Sequence, residues 1–247
     1  VSYDPPVQAA ENVFLGTGTD VNWVLLRDGR DLTLIDGGYP GDLAAVVASI
    51  RAVGHRPEDV RAILVTHAHV DHLGAVNPFH ARFGTPVHLA AAEVPHARRE
   101  YLQQLTPGKL LAQLHRPGVL PWALRILRAG ATRDVAAPHA LPFATAGALD
   151  LPGAPVPVPT PGHTSGHTAY FIPSAGAVAT GDSLITGHAV SRRRGPQLIA
   201  PWFNHGDDGE IVAALAALER LDADTVLPGH GPVHHGSLQA AIADLRA

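Results

Sequence analysis

Short blocks of apolar residues, many alternating with polar ones, run the length of this chain between Gly, Pro, Asp and Asn punctuation. Asn12 to Leu15, Asn22 to Arg27 and Leu32 to Ile35 read as strands separated by turn signals such as Asp28-Gly29. Asp36-Gly37-Gly38 closes the third strand. Asp42 to Val53 then carries apolar residues at helical spacing until Gly54 stops it. Ala62 to Val65 is the next strand, Leu73 to Phe83 a helix, and Pro86 to Ala90 a further short strand. From Glu93 to Ala131 the chain becomes leucine- and arginine-rich, with breaks at Pro107-Gly108 and Pro117-Gly118, which predicts two or three short helices. Strands are expected at Val156 to Val158, inside a proline-rich connector (Pro152 to Pro161) of otherwise little regular structure, and at Ala169 to Ile172 and Ala177 to Thr180. A helix from Glu210 to Leu221, a strand at Thr225 to Leu227 and a helix from Leu238 to Leu245 complete the chain. Two β-rich halves with helices outside predict an α+β sandwich of sheets between helical layers. The expectation is one domain over 1–247 with a helical insertion at about 93–131.

The segment between the strand at Ala62 and the helix at Leu73 departs from any packing pattern. Thr66-His67-Ala68-His69-Val70-Asp71-His72 places four metal-ligand side chains in six residues, too dense for chance in a chain with 16 His among 247 residues. If the backbone leaves the strand still extended, residues two apart project to one side, so His67, His69 and Asp71 converge. Imidazole plus carboxylate suits zinc or a similar first-row metal. Three later segments share one design, a short apolar strand, then glycine, then a candidate ligand. They are Pro161-Gly162-His163-Thr164-Ser165-Gly166-His167, Ala179-Thr180-Gly181-Asp182 and Leu227-Pro228-Gly229-His230-Gly231. Glycine there lets the backbone turn sharply and approach an ion. Together the segments supply His67, His69, Asp71, His72, His163, Asp182 and His230, enough for two metals sharing a bridging carboxylate.

Composition narrows the chemistry further. A net charge of −4 with a single lysine, Lys109, offers no basic field for nucleic acid, and Arg192-Arg193-Arg194 is the only dense basic run. Absence of cysteine removes disulfides, thiolate zinc sites and cysteine nucleophiles. No Gly-x-Ser-x-Gly occurs, and Lys109 precedes Leu110 where a phosphate-cradling loop would need Ser or Thr. No run of 18 apolar residues exists and Val1 to Pro6 lacks a signal-peptide pattern, so a soluble, cytoplasmic protein with no membrane partner is expected. Methionine is absent, including an initiator, which leaves a removed leader open.

Through these segments, in order and across nearly the whole length, the chain resembles the metallo-β-lactamase superfamily. The resemblance implies a four-layer αββα sandwich with its site at one edge. It also implies one metal on His67, His69 and His163, a second on Asp71, His72 and His230, Asp182 bridging both, and Asp36 orienting a ligand imidazole. The cofactors would be two divalent ions, Zn2+ first, with Mn or Fe as alternatives. Departures narrow the branch. True β-lactamases of the superfamily carry cysteine or serine where Asp182 stands, which argues against antibiotic hydrolysis. Flavodiiron relatives have glutamate in place of His69, and persulfide dioxygenase relatives use a reduced, mononuclear iron set. Thr160 to His167 and Thr180 to Leu184 look most like the glyoxalase II and lactonase branch. Only 17 residues follow His230, too few for the helical domain with which glyoxalase II grips glutathione, and Ile185 stands where the familiar acyl-homoserine lactonases have tyrosine.

The resulting expectation is a dinuclear hydrolase that cleaves a small ester, lactone or thioester by attack of a metal-bridging hydroxide on a carbonyl. Asp71, a ligand with a spare oxygen, would pass the proton. Leu102, Leu105, Leu110, Leu111, Leu114, Leu120, Trp122, Leu124, Ile126 and Leu127 exceed what short exposed helices need. They either pack on the sandwich, the favoured reading, or wall an apolar channel for an acyl or aryl group. His188, Trp202, Phe203 and His205 fall where loops over the site should pass and are candidate substrate contacts. His167 is read as a buried, hydrogen-bonded structural histidine, and His234 and His235 as solvated turn residues. The partner expected is a small molecule rather than nucleic acid, and a homodimer through the inserted helices is compatible with the sequence. The competing readings are a phosphodiesterase or nuclease of the same superfamily and a non-catalytic metal-binding regulator.

Overall fold

Along each strand, side chains alternate between two faces, and that alternation sorts the apolar residues into layers. The computed structural model describes residues 3–143 and 147–246. Its first sheet has seven strands in chain order: β1 (Val7–Ala10), β2 (Val13–Thr17), β3 (Asn22–Asp28), β4 (Asp31–Ile35), β5 (Val60–Leu64), β6 (Val87–Leu89) and β7 (Leu141–Pro142). Pairing is antiparallel from β1 to β4 and parallel from β4 to β7. The second sheet contains β8 (Val156–Pro159), β9 (Thr168–Ile172), β10 (Ala177–Gly181), β11 (Thr225–Pro228) and β12 (His234–His235), ordered β12-β11-β10-β9-β8. Only β10 and β11 pair in parallel there.

Val24, Leu26, Ile35 and Leu64 of the first sheet meet Tyr170, Ile172, Ala179 and Leu227 of the second in a buried inter-sheet core. Their strand neighbours Trp23, Leu25, Leu34 and Ile63 point the other way, onto α1 (Leu43–Ala52) and α2 (Val76–Phe83) through Val46, Ile50 and Phe79. On the far side, Ala169, Val178 and Val226 pack against Leu215 and Leu218 of α6 (Asp208–Glu219) and Leu238 and Ile242 of α7 (Leu238–Arg246). The order is therefore helix, sheet, sheet, helix, an α+β four-layer sandwich. Trp23 pins one layer to the next by donating its indole N–H to Ser49 Oγ at 2.9 Å.

Several elements differ from the sequence expectation. β1 and β7 are edge strands of four and two residues, too short to show periodicity. His234 and His235 form β12, pairing with Val226 and Thr225, instead of a solvated turn. The helix expected from Leu73 starts at Val76. The N–H groups of Gly74 and Ala75 are already bonded to the carbonyls of Gly38 and Gly37, at 2.7 and 3.1 Å, so the chain turns against the β4 exit before it can wind. Gly74 lies so close to the Tyr39 backbone that a Cβ would collide with it. The insertion folds as α3 (Val94–Ala97), α4 (Pro107–Gln113) and α5 (Val119–Arg128). Packing holds for only part of its apolar set: Trp122 and Ile126 are buried, whereas Leu102, Leu111, Leu120, Leu124 and Leu127 are exposed.

Candidate metal centre

The parallel strands β4, β5, β10 and β11 all end on one edge of the sandwich, and the chain exits there through Asp36, the His67–His72 segment, Asp182 and His230. The loop between β8 and β9 brings His163 to the same edge. The seven candidate ligands converge. His67, His69 and His163 can offer ligand atoms within 4.8 Å of one another, as can His67, His72 and Asp182, and Asp71, His72 and His230. Asp182 sits between the groups: its Oδ2 lies 3.1 Å from His230 Nε2 and 3.4 Å from His163 Nε2, and its Oδ1 lies 3.7 Å from His72 Nε2. Glycines allow this closeness. A Cβ on Gly229 would strike Asp182 Oδ1, and one on Gly181, at φ 49°, would stand 2.7 Å from His167 Nε2.

The hydrogen bonds around the imidazoles decide what the cluster can hold. Thr66 donates its hydroxyl to Asp36 Oδ2 at 2.8 Å, so it can only accept from His67 Nδ1 at 3.0 Å. His72 Nδ1 donates to Asp36 Oδ2 at 2.8 Å, His69 Nε2 to the Gln103 carbonyl at 2.5 Å, His230 Nδ1 to the Asp20 carbonyl at 2.5 Å, and His163 Nδ1 to Asn204 Oδ1 at 3.1 Å. In each ring one nitrogen is thereby fixed as a donor, and the other turns its lone pair inward. His67 Nε2, His72 Nε2 and Asp182 Oδ1 are buried with no hydrogen-bond partner, and His69 Nδ1 faces His163 Nε2 at 3.1 Å, lone pair to lone pair. Such an arrangement is unfavourable unless a cation is shared. The residues therefore fit bound metal.

Electrostatics agree. Burial and then the neighbouring imidazoles hold His67 and His69 well below the usual histidine range, so both stay neutral, as a ligand must. Burial alone would raise Asp182, but His230, His72 and His163 hold it well below the usual carboxylate range. Burial would lower His72, yet the Asp36 and Asp71 carboxylates push it up to about 10. The carboxylates thus call for positive charge at this point.

Asp36 takes φ 62°, a left-handed conformation uncommon for a residue with a side chain. Three hydrogen bonds hold it: from the Thr66 N–H, the Thr66 hydroxyl and His72 Nδ1, each 2.8 Å. His167 is buried with both nitrogens engaged, Nδ1 with Thr160 Oγ1 at 2.8 Å and Nε2 accepting the Asp182 N–H at 3.1 Å. It shapes the backbone at Asp182 and has no free lone pair for an ion.

A cavity of about 380 Å³ opens over the cluster. Asp71, His163, Asp182 and His230 form its polar floor, and Leu105, Leu110, Leu111, Trp122, Ile126 and Leu127 of the insertion wall one side. Of the expected substrate contacts, His188 and Phe203 line it. Trp202 stands behind, stacked on Phe203 at 3.8 Å, and His205 lies 6.1 Å from the His69 ring, outside the lining. His188 packs on Phe203 and His230 at 5.1 and 4.9 Å, and burial lowers it to about 3. Tyr39 on the cavity wall and Glu93 behind the ligand loops escaped sequence reading, since neither belongs to a recognisable spacing.

The family model described as Metallo-beta-lactamase superfamily matches residues 16–230. The chain belongs to that superfamily, whose members are metal-dependent hydrolases. It is 25% identical over 213 residues to the Probable metallo-hydrolase YflN of Bacillus subtilis (strain 168), covering 82% of this chain and 76% of that one. To a Hydroxyacylglutathione hydrolase of Fuscovulum blasticum it is 29% identical over 202 residues, 82% of this chain but only 59% of the relative. An N-acyl homoserine lactonase, AttM, of Azorhizobium caulinodans is 25% identical over 252 residues, 88% and 85% of the two chains. Among solved structures, the metallo-beta-lactamase SMB-1 in a complex with mercaptoacetic acid superposes with a TM-score of 0.68 at 22% identity, over 99% of this chain and 94% of that one, a likeness of fold. Among the described residues no helix is long and apolar enough to cross a membrane.

Proposed function

We propose that this protein hydrolyses a small ester, lactone or thioester bearing an apolar acyl or aryl group, using two divalent ions, zinc first. The observation that carries the reading is the junction of a cluster of seven candidate ligands, four of which floor the cavity, with leucine and tryptophan walls. Relatives named as a hydroxyacylglutathione hydrolase and an acyl homoserine lactonase act on thioester and lactone carbonyls, which supports the bond class. His67, His69 and His163 would hold one ion and Asp71, His72 and His230 the other, with Asp182 between. Ions so held supply an acidified water at neutral pH and a Lewis acid for the carbonyl oxygen.

The chain's own groups do the rest. Asp71, whose side chain is 14% exposed against 3% for Asp182, would accept a proton from water and pass it to the leaving group. His188 accepts the Val190 N–H on Nδ1 at 3.3 Å, so its proton sits on Nε2, free to donate to a substrate oxygen. The apolar wall excludes water and takes the acyl or aryl group. Among the described residues no Lys or Arg lines the cavity, so the lining offers no cation to a phosphodiester polymer.

The test is a hydrolysis screen on metal-analysed protein with lactones, thioesters, aryl esters and phosphodiesters, the acyl chains graded in length. Carbonyl substrates should rank first, kcat/KM should rise with chain length, and chelation should abolish turnover until metal is restored. Phosphodiesters ranking first, or turnover indifferent to chelation, would overturn the reading. A flat chain-length profile would remove the apolar pocket from it.

A further inference from the structure

Glu93 is wholly buried, yet it is neither a candidate ligand nor part of the cavity lining. A buried carboxylate survives only with partners, and this one has four. Oε1 accepts the Ala68 N–H at 2.8 Å and His96 Nδ1 at 2.7 Å, and Oε2 accepts the Thr164 hydroxyl at 2.9 Å and the Gly166 N–H at 3.0 Å. Ala68 lies between His67 and His69, while Thr164 and Gly166 flank the turn after His163. One carboxylate therefore clamps together the two loops that carry one whole ligand triad.

The bond to His96 extends further. Because His96 Nδ1 donates to Glu93, its Nε2 must accept, and it takes the Gln103 N–H at 3.2 Å. The Gln103 carbonyl in turn accepts from His69 Nε2 at 2.5 Å. Gln103 also receives the Ser165 N–H on its side-chain Oε1 at 2.9 Å, and the next residues, Gln104, Leu105 and Thr106, line the cavity. A hydrogen-bonded chain thus runs Glu93, His96, Gln103, His69, from a buried charge through the insertion to a ligand ring.

We infer that Glu93 and His96 are positioning residues that fix the tautomer and direction of His69 through the backbone of Gln103, and so couple the cavity wall to metal affinity. The inference rests on the metal-centre reading above. Outer partners of ligating histidines typically alter metal affinity by about 10- to 100-fold when removed. Glu93→Gln turns an NH2 group toward two of the four donors, breaking the clamp. His96→Phe keeps the ring but removes both nitrogens, breaking only the relay.

The experiment measures zinc and cobalt affinity by chelator competition for the wild type, E93Q and H96F, with melting temperatures of the metal-free and metal-loaded forms. We expect both variants to bind about 10- to 100-fold more weakly, to show an altered cobalt electronic spectrum, and to narrow the gap between the two melting temperatures. A purely structural role would lower both temperatures equally and leave the gap and the spectrum unchanged, which overturns the inference. If E93Q does not fold, H96F decides. Wild-type protein that binds neither ion would sink the metal-centre reading itself, a different outcome from variants that bind as the wild type does.

Discussion

An imidazole can serve a metal only through a lone pair, and which nitrogen keeps it depends on what holds the other. In this chain the answer differs from ring to ring. His67, His72, His163 and His230 are held at Nδ1 and present Nε2, whereas His69 is held at Nε2 by a peptide carbonyl and presents Nδ1. Asp36 holds His72 directly and His67 through Thr66. Asp36→Asn would face an amide NH2 with the donors of Thr66 and His72, and metal affinity should fall about 10- to 100-fold in chelator competition. Affinity equal to wild type would show that Asp36 only shapes the turn. The seven candidate ligands were legible in the sequence as histidines and aspartates in four short segments, and Asp36 through the resemblance to the superfamily. Their other hydrogen-bond partners were not, because Asp20, Gln103 and Asn204 contribute from loops 34 to 210 positions away.

α5 illustrates what periodicity leaves undecided. Val119, Trp122, Ala123 and Ile126 make a buried stripe at helical spacing, but Leu120, Leu124 and Leu127 are apolar as well and point outward. A helix that is apolar on two faces gives no sequence clue to which face finds the core. Leu111 and Leu127 are exposed yet edge the cavity, so replacing either with serine should change stability by no more than about 0.5 kcal/mol while flattening the rise of kcat/KM with acyl chain length. For the wild type that rise should approach about fourfold per methylene, the equivalent of roughly 0.8 kcal/mol. Trp122→Ala, by contrast, should cost about 3–5 kcal/mol in a denaturant titration, since its ring is buried against His188 and Phe203. A serine variant that keeps the full chain-length gain would exclude its leucine from the substrate wall.

Across the whole molecule, the site concentrates buried ionisable groups, and stability should follow their protonation. His188 is neutral in the folded protein down to about pH 3, because burial opposes its charge, whereas the unfolded chain protonates it near pH 6.5. Between those values the unfolded state binds the extra proton. The contribution is therefore intact above about pH 6.5 and is lost as pH falls toward 3, at up to about 1.4 kcal/mol per pH unit. Denaturant titrations of metal-free wild type and His188→Gln from pH 7 to 4 should show the variant with the shallower acid slope. Parallel slopes would mean that His188 is protonated in the folded state. The seven-stranded and five-stranded sheets share a buried core that includes Leu26 and Tyr170, and the candidate histidine ligands lie buried at the edge of the same sandwich.

By itself the sequence determined the strands and helices with strong periodicity, the candidate ligand types, and the αββα arrangement through its resemblance to the superfamily. These are local or recurrent signals, written in residues close together in the chain. Only the tertiary structure decided where α2 begins, which apolar residues of the insertion are buried, that Trp202 stands behind the cavity, and that Glu93 joins two loops of candidate ligands. Each of these depends on contacts between distant segments, where a competing partner for a backbone N–H or an apolar face outweighs local propensity.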